Sequence, residues 1–447
     1  MKFALRADLL DFDAAPAWGR VSGVGDEGLR WRPDHWLLVD GGRIAGALPG
    51  TEAPGPDWQL IDRRGQLLTP GFIDTHVHCP QLDVIASYGS GLLDWLETYT
   101  FPAERRFSDP EVAAAGAALF LDSLLAHGTT AAVVFPTVHK VSAEALFAAA
   151  EQRGMRLIAG KVLMDRHAPD GLRDDVEGAR ADCEALIRRW HGRGRNAYAV
   201  TVRFAITSTR EQLAMAGELL AQHPGLYMQT HVAENRDEVR WVGELFPEAR
   251  SYLDVYQRHG LLGERSVLAH GIWLDADDRA LLAASGAHIA FCPTSNLFLG
   301  SGLFDWQAAV DAGHRVSLAS DVGGGTSLSM QRTMAEGYKV QMLRGTRISA
   351  WTALHAATRG AAEALGLDHE IGHLGAGASA DLALWDWSAG GVARHRDAVA
   401  RGEVPGLEKQ DLHARVFAWM MLADERCLAA TWVAGRPAFE RVETNPR

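Results

Sequence analysis

Apolar residues in this chain gather into short, nearly unbroken runs, and stretches with helical spacing separate them. One run lies within 70–81 and seven more fall at 130–136, 156–163, 197–206, 226–231, 266–270, 288–292 and 316–321. Helical patterns occupy 110–127, 142–154, 175–190, 210–223 and 328–343. A strand buried on both faces reads as a continuous run rather than as alternation, so parallel strands joined by crossover helices are expected. The runs number eight, which is what a (β/α)8 TIM-like barrel needs.

The two ends of the chain read differently. Trp36-Leu37-Leu38-Val39, the turn Asp40-Gly41-Gly42 and Arg43 to Leu48 give a hairpin signal within 1–69. Strand patterns return at 380–385 and 428–435. The expectation is a small β-sandwich domain built from both termini, 1–69 and 376–447, beside a barrel over 70–375. The aromatic, amphipathic segment 91–102 follows the first barrel strand. It is either an ordinary packed helix or a cover over whatever that strand presents.

Composition narrows the class. The 447 residues are 47% hydrophobic, enough for a sizeable core, and no apolar run reaches the length of about 18 residues that a membrane span requires. Charge appears almost at once after Met1, which excludes the apolar core of a signal peptide. Lys and Arg number 44 against 56 Asp and Glu, a net charge of −12, which argues against nucleic acid or an anionic membrane as a partner. Four scattered cysteines without a C-x-x-C pair fit a reducing compartment and no thiolate zinc site. A soluble cytoplasmic protein is expected.

Barrel enzymes place their chemistry at the C-terminal ends of the strands. The first run ends in His76-Val77-His78, whose imidazoles share one face of a strand. Alone, such a pair is either the start of a metal site or two hydrogen-bonded polar residues. The fourth run ends in Arg203-Phe204, the fifth in His231 with Glu234 three residues on, the sixth in His270 and the eighth in Asp321, before Val322-Gly323-Gly324-Gly325. Four histidines and an aspartate at one barrel mouth point to metal-assisted chemistry. Arg203 and Phe204 serve either a ligand or, respectively, a structural ion pair and the core. His369-Glu370-Ile371-Gly372-His373 matches a zinc-protease pattern, but that motif needs a helix and glycines crowd this segment. Lys161 lies inside the third run rather than at the end of the fourth, so it is not expected to bridge two metals.

These residues resemble the amidohydrolase superfamily, with His-x-His on the first strand, His on the fifth and sixth, and Asp on the eighth. Within it, the wording of 70–81, 92–102, 161–169, 203–207, 231–238 and 320–326 is similar to the guanine deaminase family. Cys79 departs from that pattern, where an aromatic is common. The resemblance implies hydrolytic deamination of guanine to xanthine and ammonia. His76, His78, His231 and Asp321 would hold one Zn2+, with Fe2+ as the alternative, and the metal would acidify a water. Asp321, with His270, would take the water proton, and Glu234 would shuttle protons to the ring and the leaving amine. Gln81, Arg203 and Phe204 would hold the base, beside His231, Glu234 and Asp321. A homodimer is implied as well. Deamination of a related heterocycle such as 8-oxoguanine is the close rival, and a non-catalytic scaffold of the same fold the distant one.

Overall fold

The computed structural model describes residues 1–18, 28–89 and 91–442. Internal contacts divide the chain into two units: Met1–Ile73 with Asp122–Ala131 and Ser329–Arg447, and Asp74–Leu121 with Ala132–Leu328. Eight parallel barrel strands run Phe72–His78, Thr129–Phe135, Arg156–Ala159 continued by Val162–Leu163, Asn196–Val202, Tyr227–Val232, Ser266–His270, His288–Phe291 and Val316–Leu318. Each pairs with the next in chain order. Nearly every residue in them is buried, which is why they appear in the sequence as continuous runs. Helices fill the crossovers, and side chains set several of their starts. Asp175, Thr209 and Ser329 accept hydrogen bonds from backbone N–H groups in the first turns of Val176–Trp190, Arg210–Gln222 and Met330–Leu343.

Closure of the barrel occurs where the eighth strand meets the first. The Asp321 N–H donates to the His76 carbonyl (2.9 Å) and the His78 N–H to the Val322 carbonyl (2.9 Å). The buried carboxylate of Asp74 accepts from the Ser320 N–H (3.0 Å), the Ser320 hydroxyl and the His76 N–H (3.3 Å). Burial pushes the Asp74 carboxyl up to about 6, against the pull of these donors. Thr75 Oγ1, on the opposite face, lies 2.8 Å from Ser317 Oγ and 3.1 Å from the Leu318 carbonyl oxygen.

The terminal segments build a separate seven-stranded sheet. Its strands are Lys2–Phe12, Leu29–Asp40, Arg43–Pro49, Gln59–Pro70, Leu382–Trp385, Leu428–Val433 and Arg436–Glu440. All neighbours are antiparallel except Lys2–Phe12 with Gln59–Pro70. Phe3, Leu5, Leu37, Leu68, Leu382, Leu384 and Trp432 share its apolar core. Two helices, Gly391–Arg401 and Leu412–Leu422, lie between its later strands; the sequence reading had only strands there. Residues 366–377 contain no helix, so the His369-to-His373 pattern cannot form a zinc motif.

The seam predicts a stability effect. Asp74→Ala leaves the Ser320 donors unsatisfied in the interior and should lower the unfolding free energy by about 1–3 kcal/mol, read from the denaturant midpoint. An unchanged midpoint would place closure elsewhere.

Candidate active site

The first strand carries His76 and His78 inward, both buried. Their Nε2 atoms lie 3.3 Å apart, and each lies close to Asp321 Oδ1, at 3.2 and 3.3 Å. His231 Nε2 is 3.3 Å from His78 Nε2. The Phe135 ring packs against all three imidazoles, with centroids 4.8 to 5.0 Å away. His231 Nδ1 faces the Arg203 carbonyl oxygen at 2.6 Å. A carbonyl only accepts, so the ring proton sits on Nδ1 and the Nε2 lone pair points into the cluster. One donor atom each from His76, His78, His231 and Asp321 lies within 4.8 Å of the others.

This packing suits a cation. Burial holds the His78 imidazole down to about 3, and burial with the neighbouring histidines holds His231 well below its ordinary value. Neutral imidazoles with converging lone pairs are the ligand form. Burial alone would raise the Asp321 carboxyl, yet His76, with its charge interaction and hydrogen bond, and His78 outweigh it and hold Asp321 well below the usual carboxylate range. A second donor set, His76, His270, Cys292 and Asp321, overlaps the first through two shared residues. Lys161 belongs to neither set; its ammonium donates to Asp174 at 2.6 Å.

Glu234 is buried beside this cluster, with Ser301 donating to Oε1 (2.7 Å) and His270 Nε2 3.4 Å from Oε2. Burial, helped by the charge of Asp321, pushes its carboxyl up to about 8, so it carries a proton near neutrality. Its turn is fixed by Glu238, whose Oε2 accepts from the backbone N–H groups of Glu234 (3.0 Å) and Asn235 (3.1 Å) while Tyr252 donates to Oε1 (2.7 Å). His270 Nδ1 meets the Asn296 side-chain oxygen at 2.8 Å, and Nε2 faces Glu234 Oε2 and Asp321 Oδ2, the latter 3.7 Å away. Ala233, His270 and Asp321 have φ of 47°, 73° and 50°. Such conformations cost non-glycine residues about 1–3 kcal/mol each and concentrate at functional sites.

A cavity with about 420 Å³ of empty space joins these groups to Gln81, Arg203 and Phe204, and Leu92, Trp95, Leu96 and Leu299 complete its lining. The segment 91–102 therefore covers the site. Arg203, which has no acid near it in the sequence, has one in space: Nη1 lies 2.8 and 2.7 Å from the two carboxylate oxygens of Glu104. Gln81 donates to Glu104 (3.2 Å) and accepts from the Gly323 N–H (3.3 Å). A Cβ on Gly323 would fall 2.4 Å from the Gln81 carbonyl oxygen, so glycine permits this approach.

Every residue singled out from the sequence for the site lies in this one region. Sequence reasoning missed Glu104, Glu238, Asn296, Ser301 and Cys292. A signal was available only for Glu238, which sits three residues after Asn235 in a capping box.

Comparison with known proteins points the same way. The amidohydrolase family model matches residues 67–438. A guanine deaminase of Escherichia coli (strain K12) is 43% identical over 418 residues, covering 92% of this chain and 93% of that protein. An E. coli guanine deaminase structure, 40% identical, superposes with a TM-score of 0.91 over 99% of this chain and 100% of that one. The guanine deaminase of C. acetobutylicum with guanine bound in its active site is 25% identical and gives 0.86 over 98% and 100%.

After chelation and reconstitution, elemental analysis should return one divalent ion per chain, and His231→Ala should leave the protein folded with almost none. Two tightly held ions per chain would contradict the single cluster.

Proposed function

The chain belongs to the amidohydrolase family, and from that premise we propose that its barrel site hydrolyses guanine to xanthine and ammonia. Three imidazoles and one carboxylate converge at a cavity that also holds a protonated carboxyl and a set of fixed N–H donors. That combination carries the reading, and the similarity to guanine deaminases supports it.

A divalent cation held by His76, His78, His231 and Asp321 would bring the pKa of a water down towards about 7. Zn2+ suits three imidazole nitrogens and one carboxylate oxygen, with Fe2+ as the alternative. Asp321 and the free Nε2 of His270 take the proton from the attacking water. Glu234 donates its proton to the ring nitrogen beside the attacked carbon, then relays a proton to the departing amine. Arg203 and Gln81 offer N–H groups to the carbonyl edge of the base, and Phe204 offers its ring to the flat face. Leu92, Trp95 and Leu96 cover the cavity, which limits water and strengthens these contacts. The proposal extends to a cytoplasmic homodimer with no nucleic-acid partner. The acidic net charge weighs against a nucleic-acid partner and the four free, buried cysteines fit a reducing compartment, and among the described residues no helix is long and apolar enough to cross a membrane.

Two outcomes test the chemistry. Glu234→Gln keeps the shape and removes the transferable proton, so turnover of guanine should fall by about 10²-fold or more with metal content and base affinity retained. A near-normal kcat would remove Glu234 from this role. In the wild type the donor proton is lost as pH rises through about 8, so kcat should decline on the alkaline side. A flat profile to pH 10 would contradict the assignment.

A further inference from the structure

One wall of the cavity rests on a buried trio. Glu104, in the short helix Phe101–Arg105, is fully buried behind the lining. Its carboxylate is shared between Arg203 Nη1 (2.8 and 2.7 Å) and the Gln81 amide nitrogen (3.2 Å). The other end of the Gln81 amide accepts from the Gly323 N–H, so the side chain has one orientation, oxygen to the backbone and nitrogen to Glu104. The Arg203 guanidinium is also held over the Phe101 ring, with Cζ 5.3 Å from the centroid. Among the described residues, Nε and Nη2 of Arg203 have no protein acceptor.

Resting on the deaminase reading, we propose that Glu104 is a positioning residue that makes this wall a donor-only surface and so selects purines with a carbonyl, not an amine, at C6. The argument is one of polarity. A 6-oxopurine offers two acceptors on that edge, O6 and N7, whereas a 6-aminopurine offers a donor beside N7. Donors fixed by Glu104 match the first and oppose the second. Without that carboxylate the Gln81 amide is held by the Gly323 N–H alone, and Arg203 is free to leave its rotamer. Sites built to hydrogen-bond one group reject analogues that lack it far more strongly than apolar pockets do.

The test compares guanine with 2,6-diaminopurine, which share the C2 amine and differ at C6 and in the proton on N1. Glu104→Asp retains the charge opposite Arg203 but withdraws the carboxylate by about one C–C bond, about 1.5 Å. It should keep wild-type metal content and Tm while the guanine to 2,6-diaminopurine ratio of kcat/KM falls about 10-fold or more, chiefly through KM for guanine. Binding of hypoxanthine and adenine to the metal-loaded protein, followed by titration calorimetry, should lose discrimination in parallel. A Glu104→Asp protein that keeps both ratios, or a wild type that binds the two bases equally, overturns the proposal. Gln81→Met provides a second arm that leaves the ion pair intact. It too should lower both ratios, and unchanged selectivity there would also overturn it. Failure of the wild type to release ammonia from either purine would remove the deaminase reading, while the binding ratios would still decide the role of Glu104.

Discussion

The seam between the first and eighth barrel strands is the constraint on which the site depends. His76 and Asp321 are joined there by a backbone hydrogen bond, and the side chains of the same two residues meet at 3.2 Å. Strand register therefore sets the spacing of the donor atoms. A slip of one residue would turn His76 and His78 out of the cluster together, because side chains alternate faces with a period of two. Asp74 lies on the same face as the two histidines and ties the first strand to Ser320. One strand thus fastens the barrel with its first acidic residue and equips it with the next two alternate positions.

Burial then assigns the protonation states. In a low-dielectric interior His78 and His231 lose their protons and Glu234 keeps one, while His76 and then His78 hold the Asp321 carboxyl low against its burial. Two carboxyls in one cavity are so driven to opposite forms, one a proton acceptor and the other a donor, which is the separation that acid–base chemistry requires. Ala233, His270 and Asp321 hold unfavourable backbone conformations at the same place. Ala233 and His270 lie directly after or at the ends of barrel strands and Asp321 three residues past the eighth, where the surrounding backbone holds the chain against the strain.

The stretch around 91–105 shows how one segment serves two purposes. Its first turns supply Leu92, Trp95 and Leu96 to the cavity, and its last turn sends Phe101 and Glu104 against Arg203. From the sequence this stretch was equally an ordinary packed helix or a cover, because amphipathic spacing reports only that one face is buried. It does not report what that face meets. Arg203 was ambiguous in the same way, between ligand and ion pair; Glu104 engages it through Nη1, while among the described residues Nε and Nη2 have no protein acceptor.

What the sequence determined by itself was local in origin. Continuous apolar runs marked the barrel strands, a hairpin signal and returning strand patterns marked the terminal sheet, and the placement of His76, His78, His231, His270 and Asp321 at run ends marked the mouth. Such patterns survive in the sequence because strand and helix periods are short-range properties. The tertiary structure alone decided which groups share the interior with them. Glu104 reaches Arg203 across 99 residues, Ser301 reaches Glu234 across 67, and Asn296 sets the tautomer of His270 across 26. No period encodes those pairings. They exist because desolvated polar groups must find partners wherever the fold places them, and the fold brings together residues that the chain keeps apart.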